Sequence, residues 1–119
     1  MNVALPPVRP EVTDDTPFEV SVALPSQILR SHARRRWCRW KFRRATRDGR
    51  IQLCAIGRLA DEAGFDWRHW DGRSHEQSNA AVFVRGVYRL TFDQVTAVML
   101  HNDRTGLDAA IAFLEGRGL

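Results

Sequence analysis

Arginine is concentrated in one segment of this chain. Residues 30–50 hold ten of the eighteen Lys and Arg residues and a single acid, Asp48, so the segment has net charge +9 and the rest of the chain −5. Guanidinium groups at this density attract polyanions and displace the counterions condensed on a nucleic acid. The pattern predicts a nucleic-acid-binding surface, with DNA favoured over RNA. The predicted phosphate contacts are Arg35, Arg36, Arg39, Arg43, Arg44 and Arg47.

Three aromatic residues, Trp37, Trp40 and Phe42, lie among these arginines. Aromatic and basic side chains together can stack on unpaired bases. The alternative is core packing, because a small domain needs its large apolar side chains inside. The two tryptophans are one helical turn apart, which favours packing.

Residues that could bind a metal or act as nucleophiles do not occur at the spacings that such sites need. The histidines and cysteines form no CxxC, HxxxH or HExxH pattern, and no nucleophile elbow or phosphate-cradling glycine loop is present. His69, Asp71, His75 and Glu76 could form an acid–base or metal cluster, although a polar surface loop is the favoured interpretation. We therefore expect no enzyme activity, no metal and no other cofactor.

Composition predicts one globular domain. The chain has 119 residues, of which 44% are hydrophobic and 27% charged, as is usual for a folded domain. Residues 1–17 contain four of the five prolines and predict a flexible arm, which leaves residues 18–119 for the domain. Cys38 and Cys54 predict buried thiols. Without an apolar run of membrane-spanning length or a secretory signal, we expect a cytoplasmic protein with no membrane partner.

The arginine-rich segment has two structural interpretations. The favoured one begins with a strand at 18–24 and continues as a long helix over 26–47, with one stripe of arginine and an opposite face that packs Trp37 and Trp40. The alternative places two strands at 40–46 and 50–55, joined across Asp48-Gly49, which is a strong hairpin signal.

The remainder of the chain predicts further helices and one strand. Apolar spacing predicts a helix over 51–63 that ends at Gly64. The apolar run at 80–90 predicts a buried strand with a bulge at Gly86. A capping box of Thr91 and Gln94 begins a helix at 92–102, and a turn at 101–104 leads to a last helix that packs antiparallel to it. The expected fold is α+β, with four to five helices and a two- or three-stranded antiparallel sheet.

Residues 59–66, LADEAGFD, resemble the centre of a helix-turn-helix, as in bacterial repressors and winged-helix regulators. The resemblance implies that Ala60 packs against a following helix and that Gly64 makes the turn. Asp66 would cap a recognition helix that presents Arg68, Arg73 and His75 to DNA. The strand at 80–90 would then belong to a wing.

These observations predict a DNA-binding transcriptional regulator or accessory factor, which could dimerise through its C-terminal helix pair. The alternative is a compact interaction protein of the phage or plasmid inhibitor type, whose basic face docks on an acidic protein. Such a surface would depend on an apolar centre, for example Phe83 or Tyr88.

Overall fold

The computed structural model describes residues 23–119. In this range the chain forms five helices and one two-stranded antiparallel sheet, which confirms the predicted α+β class. The predicted arm at 1–17 and most of the predicted strand at 18–24 lie outside the described residues. The elements are α1 (Pro25–Arg30), β1 (Arg43–Ala45), β2 (Ile51–Leu53), α2 (Ala55–Glu62), α3 (Asn79–Tyr88), α4 (Phe92–Arg104) and α5 (Leu107–Glu115).

The helices surround one apolar core. Its fully buried side chains include Leu29 of α1, Leu59 of α2, Val84 of α3, Val95 of α4 and Leu114 of α5. Burial of each such side chain contributes about 1.5–3 kcal/mol of transfer free energy, so the core is the main stabilising element. The sheet lies at the edge of this bundle, next to the start of α2.

The C-terminal helix pair has the predicted capping box. The Thr91 hydroxyl accepts a hydrogen bond from the backbone N–H of Gln94 at 3.0 Å, and Oε1 of Gln94 accepts one from the Thr91 N–H at 2.9 Å. α4 and α5 form the most extensive helix–helix contact of the described chain. The predicted turn at 101–104 is wrong, because α4 continues to Arg104 and the chain reverses at Gly106, whose φ is 146°.

The long helix over 26–47 is wrong, and the hairpin is the correct alternative. Helix α1 ends at Arg30, and β1 pairs with β2 in the register Arg43 with Leu53 and Ala45 with Ile51. The physical reason is local repulsion: a helix would stack arginines four residues apart from 35 to 47, and each like-charge pair destabilises a helix by about 0.2–0.5 kcal/mol. Gly49, at φ 84°, supplies the turn.

The strand predicted at 80–90 is wrong, because most of these residues belong to helix α3. The bulge and the wing that were predicted with this strand are therefore wrong as well. Ser78 caps this helix, since its side chain accepts a hydrogen bond from the Ala81 N–H at 3.4 Å. Ala80, Ala81 and Val84 are buried at helical spacing. A short apolar run does not distinguish a buried strand from a buried helix, and here the serine cap and the helical spacing of small residues decide.

Helix α2 occupies part of the predicted range 51–63. It begins later than predicted because Ile51–Leu53 is a strand, and it ends as predicted before Gly64, whose φ is 86°. Asp66 caps the next segment as expected, but that segment is only a single 3₁₀ turn, Trp67–His69. The predicted recognition helix is therefore wrong: residues 70–78 leave helical geometry, with Gly72 at φ 79°.

Candidate nucleic-acid interface

The hairpin has two faces that present different arginines. Paired residues of an antiparallel sheet lie on the same face, and successive residues alternate. Arg43 and its partner Leu53 therefore lie on one face, which turns toward a cleft beside α2. Arg44 and Gln52 lie on the other, where the Arg44 guanidinium donates to Gln52 Oε1 at 2.6 and 3.1 Å. The predicted single arginine stripe is thus divided between two surfaces.

The six predicted phosphate contacts of the arginine-rich segment share one property. None of them forms an ion pair with a carboxylate within residues 23–119. All are exposed except Arg43, which is half-buried. Their hydrogen bonds within this range go to neutral groups, as when Arg39 donates to the Thr105 carbonyl at 3.1 Å. Their positive charge is not neutralised by the acids of the described chain.

The two remaining predicted phosphate contacts, Arg68 and Arg73, differ from these six because each lies near an aspartate. Arg68 forms an ion pair with Asp66 at 3.0 Å, and Arg73 lies 3.8 Å from Asp71. The Arg68 guanidinium is the main cause that lowers the pKa of Asp66, so this acid stays ionised and neutralises its partner. The charges of Arg68 and Arg73 are therefore compensated by neighbouring aspartates, unlike those of the six arginines above.

Ion pairs to α5 fix the first part of the arginine-rich segment. Arg30 contacts Glu115 and Arg34 contacts Asp108, each at 2.6 Å. Gln52 Nε2 donates to the Arg35 carbonyl at 3.2 Å, which joins the 3₁₀ turn Arg34–Arg36 to β2. Exposed pairs contribute little free energy each, so their effect here is mainly to orient the chain.

Trp40 is the exception to the predicted packing. Phe42 is 1% exposed and Trp37 is half-buried, as the packing interpretation requires. Trp40 is 63% exposed and has φ 70°, a left-handed conformation that a bulky residue rarely adopts. It stands between exposed Arg39 and Lys41. The three residues form a projecting turn, hereafter the Trp40 turn (residues 39–41).

The Trp40 turn is held on both sides by hydrogen bonds to side chains. The Trp40 N–H donates to Asp103 Oδ1 at 2.8 Å, and this carboxylate also accepts from Asn102 Nδ2 at 2.9 Å. On the far side, the Phe42 N–H donates to Ser74 Oγ at 2.9 Å. A positive φ in a non-glycine residue costs about 1–3 kcal/mol and persists only where surrounding contacts fix it. The Trp40 turn is therefore preorganised.

The cysteines are buried thiols, as predicted. Cys38 and Cys54 are 3% and 2% exposed and are not joined to each other. Burial raises the pKa of both, so each stays protonated at neutral pH. The Cys38 thiol donates to the Lys41 carbonyl at 3.2 Å and supports the Trp40 turn.

Sequence reasoning missed the residues that fix this turn. Asn102 and Asp103 are 0% and 7% exposed on α4, yet they are polar. The signal was present: the apolar positions Val95 and Met99 continue at helical spacing to these two residues, and a polar residue on a buried face indicates a specific role. Nothing in the sequence pattern marked Trp40 as exposed.

Comparison with known proteins gives no guide to function, because no protein-family model, curated protein or solved structure matches this chain. Among the helices of residues 23–119, none has the length and apolarity needed to cross a membrane. Nor do three His, Cys, Asp or Glu side chains of that range gather where they could hold a metal ion.

Proposed function

We propose that this protein binds nucleic acid through the outer surface of residues 35–47, as a regulator or accessory factor. The observation that carries the proposal is Trp40: its indole is exposed, its backbone is left-handed, and its neighbours in the chain, Arg39 and Lys41, are exposed cations. Exposing a tryptophan and holding its backbone in this region both cost free energy, which a binding role explains.

The chemistry of the Trp40 turn fits an unpaired base. An indole stacks on any base, and such stacking contributes about 1–3 kcal/mol per base. Arg39 and Lys41 lie on either side of Trp40, where they would contact the phosphates of the same strand. Because the turn is fixed by Asp103 and Ser74, little conformational entropy is lost on binding.

The cationic surface supplies the phosphate contacts. Arg35, Arg39, Arg44 and Arg47 are exposed and form no ion pair with the acids of residues 23–119. Each phosphate neutralised by such a group releases counterions, so affinity falls with log salt at a slope of about −0.9 per contact on duplex DNA and about −0.7 on a single strand. The helix-turn-helix resemblance of residues 59–66 stays a prediction, and the proposal does not depend on it.

Two double variants test the proposal because they remove equal charge from differently paired arginines. In one, Arg44→Gln and Arg47→Gln remove unneutralised charge; in the other, Arg68→Gln and Arg73→Gln remove charge already paired with aspartate. Binding of a labelled single strand and of the matching duplex is measured by anisotropy across a salt series.

The first double variant should lower the salt slope by about one to two and weaken binding at low salt. The second should leave both nearly unchanged. Equal losses in the two variants would show that net charge alone is responsible, and absence of binding by the unaltered protein at low salt would contradict the proposal.

Docking on an acidic protein is the second candidate function. Trp and Arg are also the residues that dominate protein interfaces, and Trp40 with Arg39 is such a pair. Phe83 and Tyr88, predicted as the apolar centre of such an interface, are both half-buried. Phe83 packs on Phe65 at 5.3 Å between ring centres, and the Tyr88 hydroxyl donates to the Leu59 carbonyl at 3.1 Å. The salt series separates the two functions, because a protein partner has no layer of condensed counterions to release and its affinity falls less steeply with log salt than that of a nucleic acid.

Dimerisation through the C-terminal helices stays a prediction. The apolar side chains Leu107, Ile111 and Leu114 of α5 are buried against the rest of the same chain. Any second copy would therefore contact the solvent-exposed side of this helix pair.

A further inference from the structure

A cleft of about 470 Å³ opens on the inner face of the hairpin. Its volume lies within the range of about 300–1,000 Å³ that is usual for small-molecule sites. Three parts of the chain meet there: the segment that follows α1, the hairpin, and α2 with the 3₁₀ turn after it. The residues that line it include Arg36, Arg43, Arg58, Asp61, Trp67 and Ile51.

The charge of the cleft is positive. Three arginines line it, Arg36, Arg43 and Arg58, against one acidic residue, Asp61. That carboxylate accepts a hydrogen bond from the Trp67 indole N–H at 3.1 Å. Arg58 pairs with Glu62 at 2.8 Å on the next turn of α2, whereas Arg36 and Arg43 have no carboxylate partner within residues 23–119.

His32 also lines the cleft, and the positive charge there affects its pKa. Burial lowers its pKa, and the charges of Arg58 and Arg36 lower it further. The bond between its Nε2 and the Leu53 carbonyl, 2.8 Å long, opposes this shift but does not reverse it. The imidazole is therefore neutral at pH 7, and it adds no cation to the site.

One wall of the cleft is aromatic. The Trp67 ring is held by edge-on contacts with Phe65 and Trp70, whose ring centres lie 5.0 and 5.3 Å away. The Arg43 guanidinium lies 5.8 Å from the Trp67 ring centre, so one cation and one flat ring are presented together. Ile51 adds an apolar surface from β2. A ligand that fits this wall combines an anion with a flat or apolar group.

We propose that the cleft binds a nucleoside phosphate, with the phosphate at Arg36, Arg43 and Arg58 and the base against Trp67. Arginine binds phosphate oxygens through charge-assisted and often bidentate hydrogen bonds. The Asp61 carboxylate provides an acceptor for a ribose hydroxyl. The site does not depend on the nucleic-acid surface proposed above, because the hairpin turns Arg43 toward the cleft and Arg44 away from it.

Calorimetric titration of the full chain with AMP, GMP, CMP and UMP, and separately with adenosine and inorganic phosphate, tests the proposal. At least one nucleotide should saturate one site, and the nucleoside and the inorganic ion should each bind at least about tenfold more weakly, since each lacks half of the contacts. If no nucleotide saturates a site, or if inorganic phosphate binds as tightly as the best nucleotide, the proposal is wrong.

Adjacent arginines on β1 supply the matched variants. Arg43→Gln should weaken the best nucleotide by about tenfold or more, while Arg44→Gln should change it by less than about twofold. Thermal unfolding of both variants checks that each is folded. If Arg43→Gln is unstable, exposed Arg36→Gln takes its place. If Arg43→Gln and Arg44→Gln weaken nucleotide binding equally, the ligand is not bound in the cleft and the proposal is wrong.

The pKa of His32 provides a second readout, which reports whether the phosphate is bound in the cleft. A bound phosphate neutralises the field of Arg58 and Arg36, so the pKa of His32, followed by the NMR shift of its ring protons, should rise when the nucleotide is added. Unchanged His32 titration with a saturating nucleotide would place the ligand elsewhere and contradict the proposal.

The phosphate could come from a free nucleotide or from the phosphorylated end of a strand. A 5′-phosphorylated oligonucleotide and its 5′-hydroxyl twin, used as competitors of the bound nucleotide, separate these sources; competition by the phosphorylated one alone identifies a strand end. Loss of nucleotide binding in Arg43→Gln with unchanged salt-dependent binding of long strands would distinguish this site from the outer surface.

Discussion

The indole N–H of Trp37 donates to Oδ1 of Asn102 at 2.7 Å, across 65 residues of the chain. The same oxygen accepts from the backbone N–H of Ala55 at 3.0 Å, and Nδ2 of Asn102 donates to the Cys38 carbonyl at 3.3 Å. One buried amide of α4 thereby joins the start of α2 to the segment that leads into the Trp40 turn. The position of the exposed turn is consequently set by a side chain in the core.

Asn102→Ala should strongly destabilise the protein. It leaves the indole N–H of Trp37, the N–H of Ala55 and the Cys38 carbonyl without their partner in a buried site, and each unsatisfied group costs about 1–3 kcal/mol. We expect the free energy of unfolding, measured by urea titration, to fall by about 3 kcal/mol or more. Gln77→Ala, at an exposed polar position, is the control and should change it by less than about 0.5 kcal/mol. A loss below about 1 kcal/mol for Asn102→Ala would show that the amide is not structurally important.

Trp40→Gly should abolish base stacking while it preserves the fold. Glycine adopts φ 70° without strain, and the lost tryptophan side chain is 63% exposed, so little core contact is removed. The free energy of unfolding should change by less than about 1 kcal/mol, since relief of strain offsets the greater freedom of glycine in the unfolded chain. Affinity for a single strand should fall by about 1–3 kcal/mol, measured by anisotropy.

Trp40→Phe is the matched control for that experiment, because a smaller ring still stacks. It should retain most of the affinity that Trp40→Gly loses. If Trp40→Gly binds a single strand as tightly as the unaltered protein, the turn has no stacking role.

The sequence was sufficient to predict a helix end wherever the capping residues and the apolar spacing indicate the same position. Thr91 with Gln94 predicted the start of α4, Gly64 predicted the end of α2, and the charge count located the cationic segment. These features depend on residues close together in the chain. They can therefore be predicted without knowing which residues pack against them.

The hairpin and the Trp40 turn depend on contacts between distant residues as well as on the local repulsion of arginines. The apolar spacing around Trp37 is compatible with a helix, and the pairing of Arg43 with Leu53 and the buried Asn102 favour the hairpin and the Trp40 turn instead. The cleft likewise gathers Arg36, Arg43 and Arg58 from three elements. No local pattern indicates that such residues meet.

Stability should fall as the pH decreases below 6.5, the ordinary pKa of histidine, because His32 is buried and neutral. Burial lowers its pKa in the folded state, so the unfolded chain takes up the proton first. This contribution is fully present above pH 6.5 and is lost as the pH falls through the lower folded value. Urea unfolding of the unaltered protein and of His32→Gln, measured from pH 7.5 to 5, should show the steeper decline in the unaltered protein. If the free energy of unfolding depends on pH in the same way in both proteins, His32 is not the cause of the decline.

Gly57→Ala should disrupt the contact between α2 and the hairpin. A Cβ atom at position 57 would lie 1.9 Å from the Phe42 carbonyl oxygen and 2.8 Å from its carbon, both of which are backbone atoms that cannot rotate away. Although alanine is the better helix former, the chain before β1 would have to move, and overpacking of this kind costs about 1–3 kcal/mol or more. Gly86→Ala, in α3 with no atom within 4 Å of the added Cβ, is the control and should stabilise the protein by about 0.5–1 kcal/mol through helix propensity. Thermal unfolding should thus move in opposite directions for the two variants. Stabilisation by both would show that α2 does not approach Phe42 as closely as the structure indicates.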